Sequence, residues 1–301
     1  MKLFTLLFSL LLLAPLSRAK DISGYLTVDS RQRTYLLHVP ASYSADRPVP
    51  LILSLHGRLG DGKGQARLSG FDALSDEHGF LVVYPDGLER SWADGRGATP
   101  SDKQHVNDVH FLSELITRLQ SDYNIDPARI YANGMSNGGF MTARLACDLS
   151  DRIAAVAIVA ASISAPTANS CHPARPISVL ILQGTTDPLV PFDGGALGRN
   201  GDRGEVLSHQ AAVEKFVALD HCPGAPKTQH LPDTASDNTS VDVSLFTGCS
   251  AGTEVASYEI VNGGHAWPGG LAYLPANVIG ITSRNLDASS IIYAFYLAHP
   301  R

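Results

Sequence analysis

Arg129-Ile130-Tyr131-Ala132-Asn133-Gly134-Met135-Ser136-Asn137-Gly138 is the stretch on which the fold turns. Its first half is an apolar, β-favouring run. The Gly-x-Ser-x-Gly spacing that follows is that of a sharp strand-to-helix turn, in which the central serine is forced into a strained backbone conformation and its hydroxyl is exposed at the end of a sheet. Side chains at the flanking glycines would collide with the neighbouring strand and helix. Phe140-Met141-Thr142-Ala143-Arg144-Leu145 then supplies a helix-compatible segment. Both flanks are therefore right for the turn, and Ser136 is assigned as a catalytic nucleophile rather than as part of an ordinary Gly-Ser loop.

The same alternation continues along the chain, which predicts a mostly parallel sheet with helices on both faces. Leu51–Leu55 and Phe80–Tyr84 are short apolar runs of the kind buried central strands require. Ile130–Asn133, Ala154–Ala160, Ile177–Leu182 and Val255–Val261 read as further strands, the last of these closing the set. Gly24–Val28 and Arg33–Val39 alternate in polarity and predict an antiparallel edge pair. Helices are expected over Gln65–His78, over Asn107–Asp122 from the spacing of Val109, Leu112, Ile116 and Leu119, over Gln210–Leu219, and in a closing segment that carries Ile291, Ile292, Phe295 and Ala298. Phe192–Gly204 and Pro223–Ser240 lack periodicity and read as loops.

The chain has 301 residues, a net charge of -6 and 44% hydrophobic residues. It can bury a large core, and it has no basic run to attract nucleic acid. Lys2, the apolar stretch Leu3–Leu13 and Ser17-Arg18-Ala19 have the pattern of an export signal over residues 1–19. That stretch is short for a membrane span, so no stable membrane anchor is expected. The expectation is a single domain over 20–301, secreted or periplasmic. Cys147, Cys171, Cys222 and Cys249 are an even set in an exported chain, which favours two disulfides. Of the three possible pairings, proximity favours Cys147–Cys171 and Cys222–Cys249. No metal-ligand spacing is present, and neither metal nor cofactor is expected.

A serine hydroxyl needs a base, and the base needs an orienting carboxylate. In the α/β-hydrolase arrangement these follow the serine in the order acid, then histidine, on loops after late strands. Asp187, in Gly184-Thr185-Thr186-Asp187-Pro188, and His265, after Gly263-Gly264, occupy those places. Asp193 is the competitor for the acid. The oxyanion requires two N–H donors, assigned to Asn137 and to Arg58 in His56-Gly57-Arg58-Leu59-Gly60, with Leu59 as the second choice. His56 precedes the elbow and is expected to brace this loop. Trp267 and Trp92 are assigned to the wall of the substrate pocket, against the alternative that each packs a core. Asp86 and Asp108 are expected to cap turns and helices.

Taken together, His56-Gly57, Tyr84-Pro85-Asp86-Gly87, Asp108-Val109 with Phe111, Gly134-Met135-Ser136-Asn137-Gly138-Gly139, Gly184-Thr185-Thr186-Asp187 and Gly264-His265-Ala266-Trp267-Pro268-Gly269 resemble one family. It is the secreted esterase family that holds polyhydroxybutyrate depolymerases and feruloyl or acetylxylan esterases. The resemblance implies an α/β-hydrolase fold and hydrolysis of carboxylic esters through Ser136, Asp187 and His265, with no cofactor. Many members have a cysteine or a small residue where this chain has Arg58, a departure at the mouth of the site. No second, surface-binding module is visible in the sequence, which favours feruloyl-type or other plant-wall esters, with polyhydroxybutyrate or its oligomers as the alternative. A serine peptidase, an acyltransferase and a non-catalytic binding module are weaker readings.

Overall fold

A computed structural model describes residues 18–198 and 200–301. The export-signal reading falls largely on residues 1–17, outside the described residues. In chain order the strands are β1 (Lys20–Val28), β2 (Arg31–Val39), β3 (Val49–Leu55), β4 (Leu81–Pro85), β5 (Ile125–Met135), β6 (Ala155–Val159), β7 (Ser178–Gly184), β8 (Gly195–Ala196), β9 (Glu205–Val206), β10 (Lys227–Leu231), β11 (Ser240–Phe246) and β12 (Val255–Val261). The helices are α1 (Gly62–Ser69), α2 (Phe71–His78), α3 (Pro100–Lys103), α4 (Asp108–Asp122), α5 (Asn137–Asp148), α6 (Ala165–Ser170), α7 (His209–Leu219), α8 (Ala276–Ile279) and α9 (Ala288–Ala298).

Ten strands form one sheet in the order β1-β2-β4-β3-β5-β6-β7-β12-β11-β10. The six from β4 to β12 run parallel, and an antiparallel pair is added at each end. Every residue of β6 and β7 is buried, as two-sided coverage demands. Alternate residues of the central strands feed two separate cores. Leu51, Leu53, Ala132, Val156, Ile158 and Ile181 pack with residues of α4, α5 and α7 such as Leu112, Ile116, Phe140 and Phe216. Ile52, Val82, Tyr131, Ala157 and Leu180 pack instead with Ala66, Phe71, Ile292 and Tyr296 of α1, α2 and α9. The sheet therefore lies between two helix layers.

Two differences from the sequence reading have physical causes. The single helix expected over Gln65–His78 is two, because Gly70 takes φ +67°, ending α1 and starting α2. The segment Pro223–Ser240 is not all loop: β10 and β11 extend the sheet beyond β12. β10 is almost entirely exposed and polar, so it has no alternation to reveal it. The expected loop 192–204 likewise contains β8, which pairs with β9 in a two-residue ladder.

Both disulfides have the pairing expected from proximity, Cys147–Cys171 and Cys222–Cys249. The second spans the chain that contains β10 and β11, so it ties that added edge to the end of α7. Each closed loop contributes about 2–4 kcal/mol. No described helix is long and apolar enough to cross a membrane.

Candidate active site

β3, β5, β7 and β12 are parallel, so their carboxyl ends share one edge of the sheet, where open α/β sheets bind ligands. Ser136 follows β5, Asp187 follows β7, His265 follows β12, and the His56-Gly57 loop follows β3. Strand order places the serine between the loop after β3 on one side and the acid and histidine on the other.

Ser136 has φ +57° and ψ -122°, a conformation that costs a non-glycine residue on the order of 1–3 kcal/mol. The turn that holds it is crowded. A Cβ on Gly138 would stand 2.3 Å from the Leu55 carbonyl oxygen, and one on Gly134 would stand 2.4 Å from that of Gly138. Only glycine permits this approach of α5 to β3 and β5. The turn delivers Ser136 to the amino end of α5, where the Asn137 N–H has no intrahelical acceptor and the helix dipole favours negative charge.

Asp187 and His265 meet: His265 Nδ1 lies 2.7 Å from Asp187 Oδ2, and both residues are buried. The other carboxylate oxygen, Oδ1, accepts from the N–H groups of Leu189 (2.8 Å) and Val190 (2.9 Å). The carboxylate is thereby fixed in orientation, and the imidazole through it. The competitor Asp193 makes no such contact. Ser136, Asn137, Arg58 and His265 line a common cavity of about 610 Å³, and Asp187 stands behind the histidine, outside its lining. Among the described residues, neither Ser136 Oγ nor His265 Nε2 makes a protein hydrogen bond, and both atoms belong to residues that line the cavity.

The loop after β3 is braced as expected. His56 Nδ1 donates to the Gly57 carbonyl (2.7 Å) and Nε2 accepts from the Gly87 N–H (2.9 Å), which assigns the tautomer. Burial lowers its pKa, so the ring is neutral. Of the two donors considered on this loop, the Leu59 N–H is spent on the Arg90 carbonyl (2.8 Å). The Arg58 N–H has no protein partner among the described residues.

Both tryptophans depart from their assignment. Trp92 and Trp267 are fully buried and neither lines the cavity. Trp92 donates from Nε1 to the His56 carbonyl (2.9 Å), and Trp267 donates to Ser289 Oγ (3.0 Å). Their size and single donor serve packing. Trp92 still reaches the site indirectly, because its N–H donates to Asn137 Oδ1 (2.8 Å). Asp86 and Asp108 are structural, as expected: Asp86 accepts from the Gly62 N–H at the start of α1, and Asp108 pairs with Arg33 (2.6 Å) and accepts from the Ala93 N–H.

Several lining residues had no sequence signal. Asn137 Nδ2 donates to buried Asp94 (2.5 Å), whose carboxylate also pairs with Arg96 (2.7 Å). Burial pushes the Asp94 carboxyl up, against the pull of Arg96. Leu189, Leu197, Arg203, Tyr273 and Leu274 complete the outer part of the lining. Apart from Leu189, which sits on the Asp187 loop, they come from loops that carry no motif, so only the folded chain brings them together. Among the described residues, the cavity offers no metal-ligand set. Elsewhere, Asp21, His38 and Asp72 cluster at the antiparallel edge, where His38 Nδ1 lies 2.7 Å from Asp21 and Nε2 lies 3.2 Å from Asp76. Both ring nitrogens are thus occupied by carboxylates.

A six-stranded parallel centre between helix layers, with a strained serine at its carboxyl edge and a buried Asp-His pair beside it, is the α/β-hydrolase fold. Comparison with known proteins gives the same class. The structure matches the acetyl xylan esterase from Aspergillus awamori with TM-score 0.61 at 13% identity, covering 93% of this chain and 99% of that one. In sequence, the Esterase PHB depolymerase family matches residues 33–195. A protein of Nocardia uniformis subsp. tsuyamanensis named as an esterase, NocK, is 32% identical over 293 residues, covering 94% of this chain and 84% of that protein. Feruloyl esterase B of Piromyces equi is 28% identical over 243 residues, 78% of this chain but only 42% of that enzyme. The chain belongs to the Esterase PHB depolymerase family, and it is a carboxylic ester hydrolase of the serine type.

Proposed function

We propose that the chain is an exported esterase, acting in the periplasm or the medium, that hydrolyses feruloyl-type or other plant-wall esters through Ser136, His265 and Asp187. The observation that carries the catalytic part is the buried Asp187–His265 pair at 2.7 Å, on the sheet edge and cavity that also present the strained Ser136. In this reading His265 Nε2 takes the proton from Ser136 Oγ as the oxygen attacks the ester carbonyl carbon. The carbonyl electron pair moves onto oxygen, and the N–H groups of Asn137 and Arg58 receive that charge. The tetrahedral adduct collapses as the C–O bond to the alcohol breaks, and His265 returns its proton to the leaving oxygen. Water then attacks the acyl-enzyme with the same base, releasing the acid and restoring Ser136. Asp187 holds the imidazole in its tautomer and orientation throughout. Two disulfides support export to an oxidising compartment.

Hydrolysis of polyhydroxybutyrate or its oligomers is the second reading. Exposed Leu59, Leu189, Tyr273 and Leu274 surround the cavity mouth, a rim suited to an apolar ester in a larger solid or aggregate. The deciding experiment compares the mature protein with Ser136→Ala on p-nitrophenyl butyrate, methyl ferulate, acetylated xylan and polyhydroxybutyrate film. Release of ferulate faster than of hydroxybutyrate, abolished in the variant, is the expected result. The reverse ranking selects the polyester reading, and equal activity in both proteins removes Ser136 as nucleophile.

A further inference from the structure

The cavity carries a charge pattern that ester cleavage itself does not need. Arg58, Arg96 and Arg203 line it, from the loop after β3, from the segment before α3 and from the β8–β9 hairpin, and among the described residues no aspartate or glutamate does. This occurs in a chain whose net charge is -6. The three are not equivalent. Arg96 is compensated and fixed: its guanidinium grips Asp94 with bonds from Nε and Nη2 and lies over the Phe140 ring, 4.2 Å from the centroid. Arg58 and Arg203 are exposed, and among the described residues neither side chain pairs with a carboxylate or donates a hydrogen bond to the protein. Arg203 is held close to Arg96 by its neighbour, since a Cβ on Gly204 would stand 2.9 Å from Arg96 Cβ.

A lone exposed arginine is an ordinary solvated side chain. Two uncompensated ones on a single cleft, with no lining acid to neutralise them, set up a local positive potential against the sign of the whole molecule. The guanidinium fork also matches a carboxylate through two parallel N–H···O bonds. We infer that the ester bound in this cavity carries a free carboxylate, on its acyl or its alcohol portion, and that Arg203, with Arg58, is the determinant that recognises it. This rests on the serine-esterase reading above but not on its feruloyl branch: the only carboxyl of a simple ferulate ester is the esterified one, so the inference selects plant-wall or hydroxyalkanoate esters that carry a second, free carboxylate. The carboxylate takes no part in bond making or breaking. It orients the ester and raises its concentration at Ser136, so the effect falls on kcat/KM and weakens with salt.

The test uses two nearly isosteric pairs, monoethyl adipate against ethyl hexanoate for an acyl-side carboxylate, and acetoxybutyrate against butyl acetate for an alcohol-side one. Values of kcat/KM are measured near neutral pH at low and high salt for the mature protein, Arg203→Gln, Arg203→Lys and Ser136→Ala. The expected result is a preference of about tenfold for the carboxylate member of at least one pair at low salt, reduced at high salt. Arg203→Gln should bring that ratio towards one, and Arg203→Lys should retain part of it. The neutral ester of each pair reports folding and basal turnover in every variant. Ratios at or below one for both pairs in the unmodified protein overturn the inference, as does a preference that Arg203→Gln leaves intact. Neutral-ester hydrolysis that persists in Ser136→Ala would instead overturn the esterase mechanism, so the two failures are distinct.

Discussion

The inner and outer linings of the cavity are held in different ways. The inner lining, around Ser136, Asn137 and His56, is buried or half-buried and cross-bonded. Trp92 joins the His56 carbonyl to the Asn137 side chain, Gly87 holds the His56 ring, and Asp94 receives Asn137 and Arg96. The outer lining is made of Leu189, Leu197, Arg203, Tyr273 and Leu274, on loops whose side chains are largely exposed and have few polar ties. A transition state demands donors fixed to within fractions of an ångström, which packed backbone supplies. Selection among esters needs only shape and charge, and a surface loop can change these without disturbing the sheet. Under the proposed mechanism, the contrast gives chemistry to the inner lining and choice of substrate to the outer one.

The largest expected effect separates these two roles directly. Ser136→Ala should lower kcat on every ester by about a thousandfold or more, with unchanged thermal stability. Leu274→Ala, on the outer lining, should alter KM unequally among esters while shifting stability by no more than about 0.5 kcal/mol. Steady-state kinetics on a panel of acyl chains checks both. A uniform thousandfold loss in Leu274→Ala would erase the distinction.

Backbone crowding gives the next contrast. Gly138→Ala places a methyl 2.3 Å from the Leu55 carbonyl oxygen and 2.6 Å from that of His56, and neither can move without shifting β3. A loss of about 3 kcal/mol or more is expected. Gly195→Ala, in β8 behind the outer lining, meets nothing within 4 Å and bears only the strain of φ +94°, about 1–2 kcal/mol. Urea unfolding of the two variants measures the difference.

How much of this was legible in the sequence follows the same division. The elbow, the Asp187 and His265 loops and the central strands were readable because each is fixed by local chemistry: glycines at a crowded turn, apolar runs between two helix layers, and loops after strands. The bracing role of His56 was readable for the same reason. The two tryptophans misled because proximity in sequence to His265 and to the loop after β4 does not fix which way a side chain faces. Both point into packing that only tertiary structure defines. β10 stayed hidden because an exposed polar edge strand has no period-two pattern. Arg96, Arg203 and Tyr273 stayed hidden because long-range folding alone brings their loops to the cavity.

A pH experiment probes what supports the outer lining from beneath. His209, at the start of α7, is buried, with Nε2 2.7 Å from Ser257 Oγ, Nδ1 3.3 Å from Gln183 Oε1 and its ring stacked on Phe192. Gln183 in turn donates to the Val190 carbonyl (3.2 Å), beside the Asp187 turn. Burial lowers the His209 pKa from 6.5 to about 4. The unfolded chain therefore takes up this proton first as pH falls, and stability is lost between about 6.5 and 4. Asp220, just after α7, is raised by burial from 3.8 to about 6. Here the folded chain keeps a proton that the unfolded chain releases, so stability is lost as pH rises from about 3.8 to 6. The two slopes oppose each other across the shared window. Asp220→Asn should therefore add a positive slope of about 1.4 kcal/mol per pH unit relative to the unmodified protein, read from urea unfolding between pH 4 and 6. An unchanged slope would show that Asp220 does not hold a proton in the folded state.

The smallest effect lies where the two linings touch. Tyr273 belongs to the outer lining, yet its hydroxyl donates to the main-chain carbonyl of His265 at 3.2 Å. That carbonyl belongs to the loop that carries the proposed base, whose own N–H donates to the Ile279 carbonyl (2.5 Å). If the base is positioned chiefly by Asp187 and by this backbone tie, the tyrosine is a peripheral support. Tyr273→Phe then removes one neutral hydrogen bond at a half-exposed position, about 0.5–1 kcal/mol of stability. Its kinetic effect should be a few-fold change in KM for bulky esters, from the altered mouth, with kcat nearly unchanged. A drop in kcat of about a hundredfold, with KM held, would mean that the outer lining also positions the base, and chemistry and selection would then share one wall.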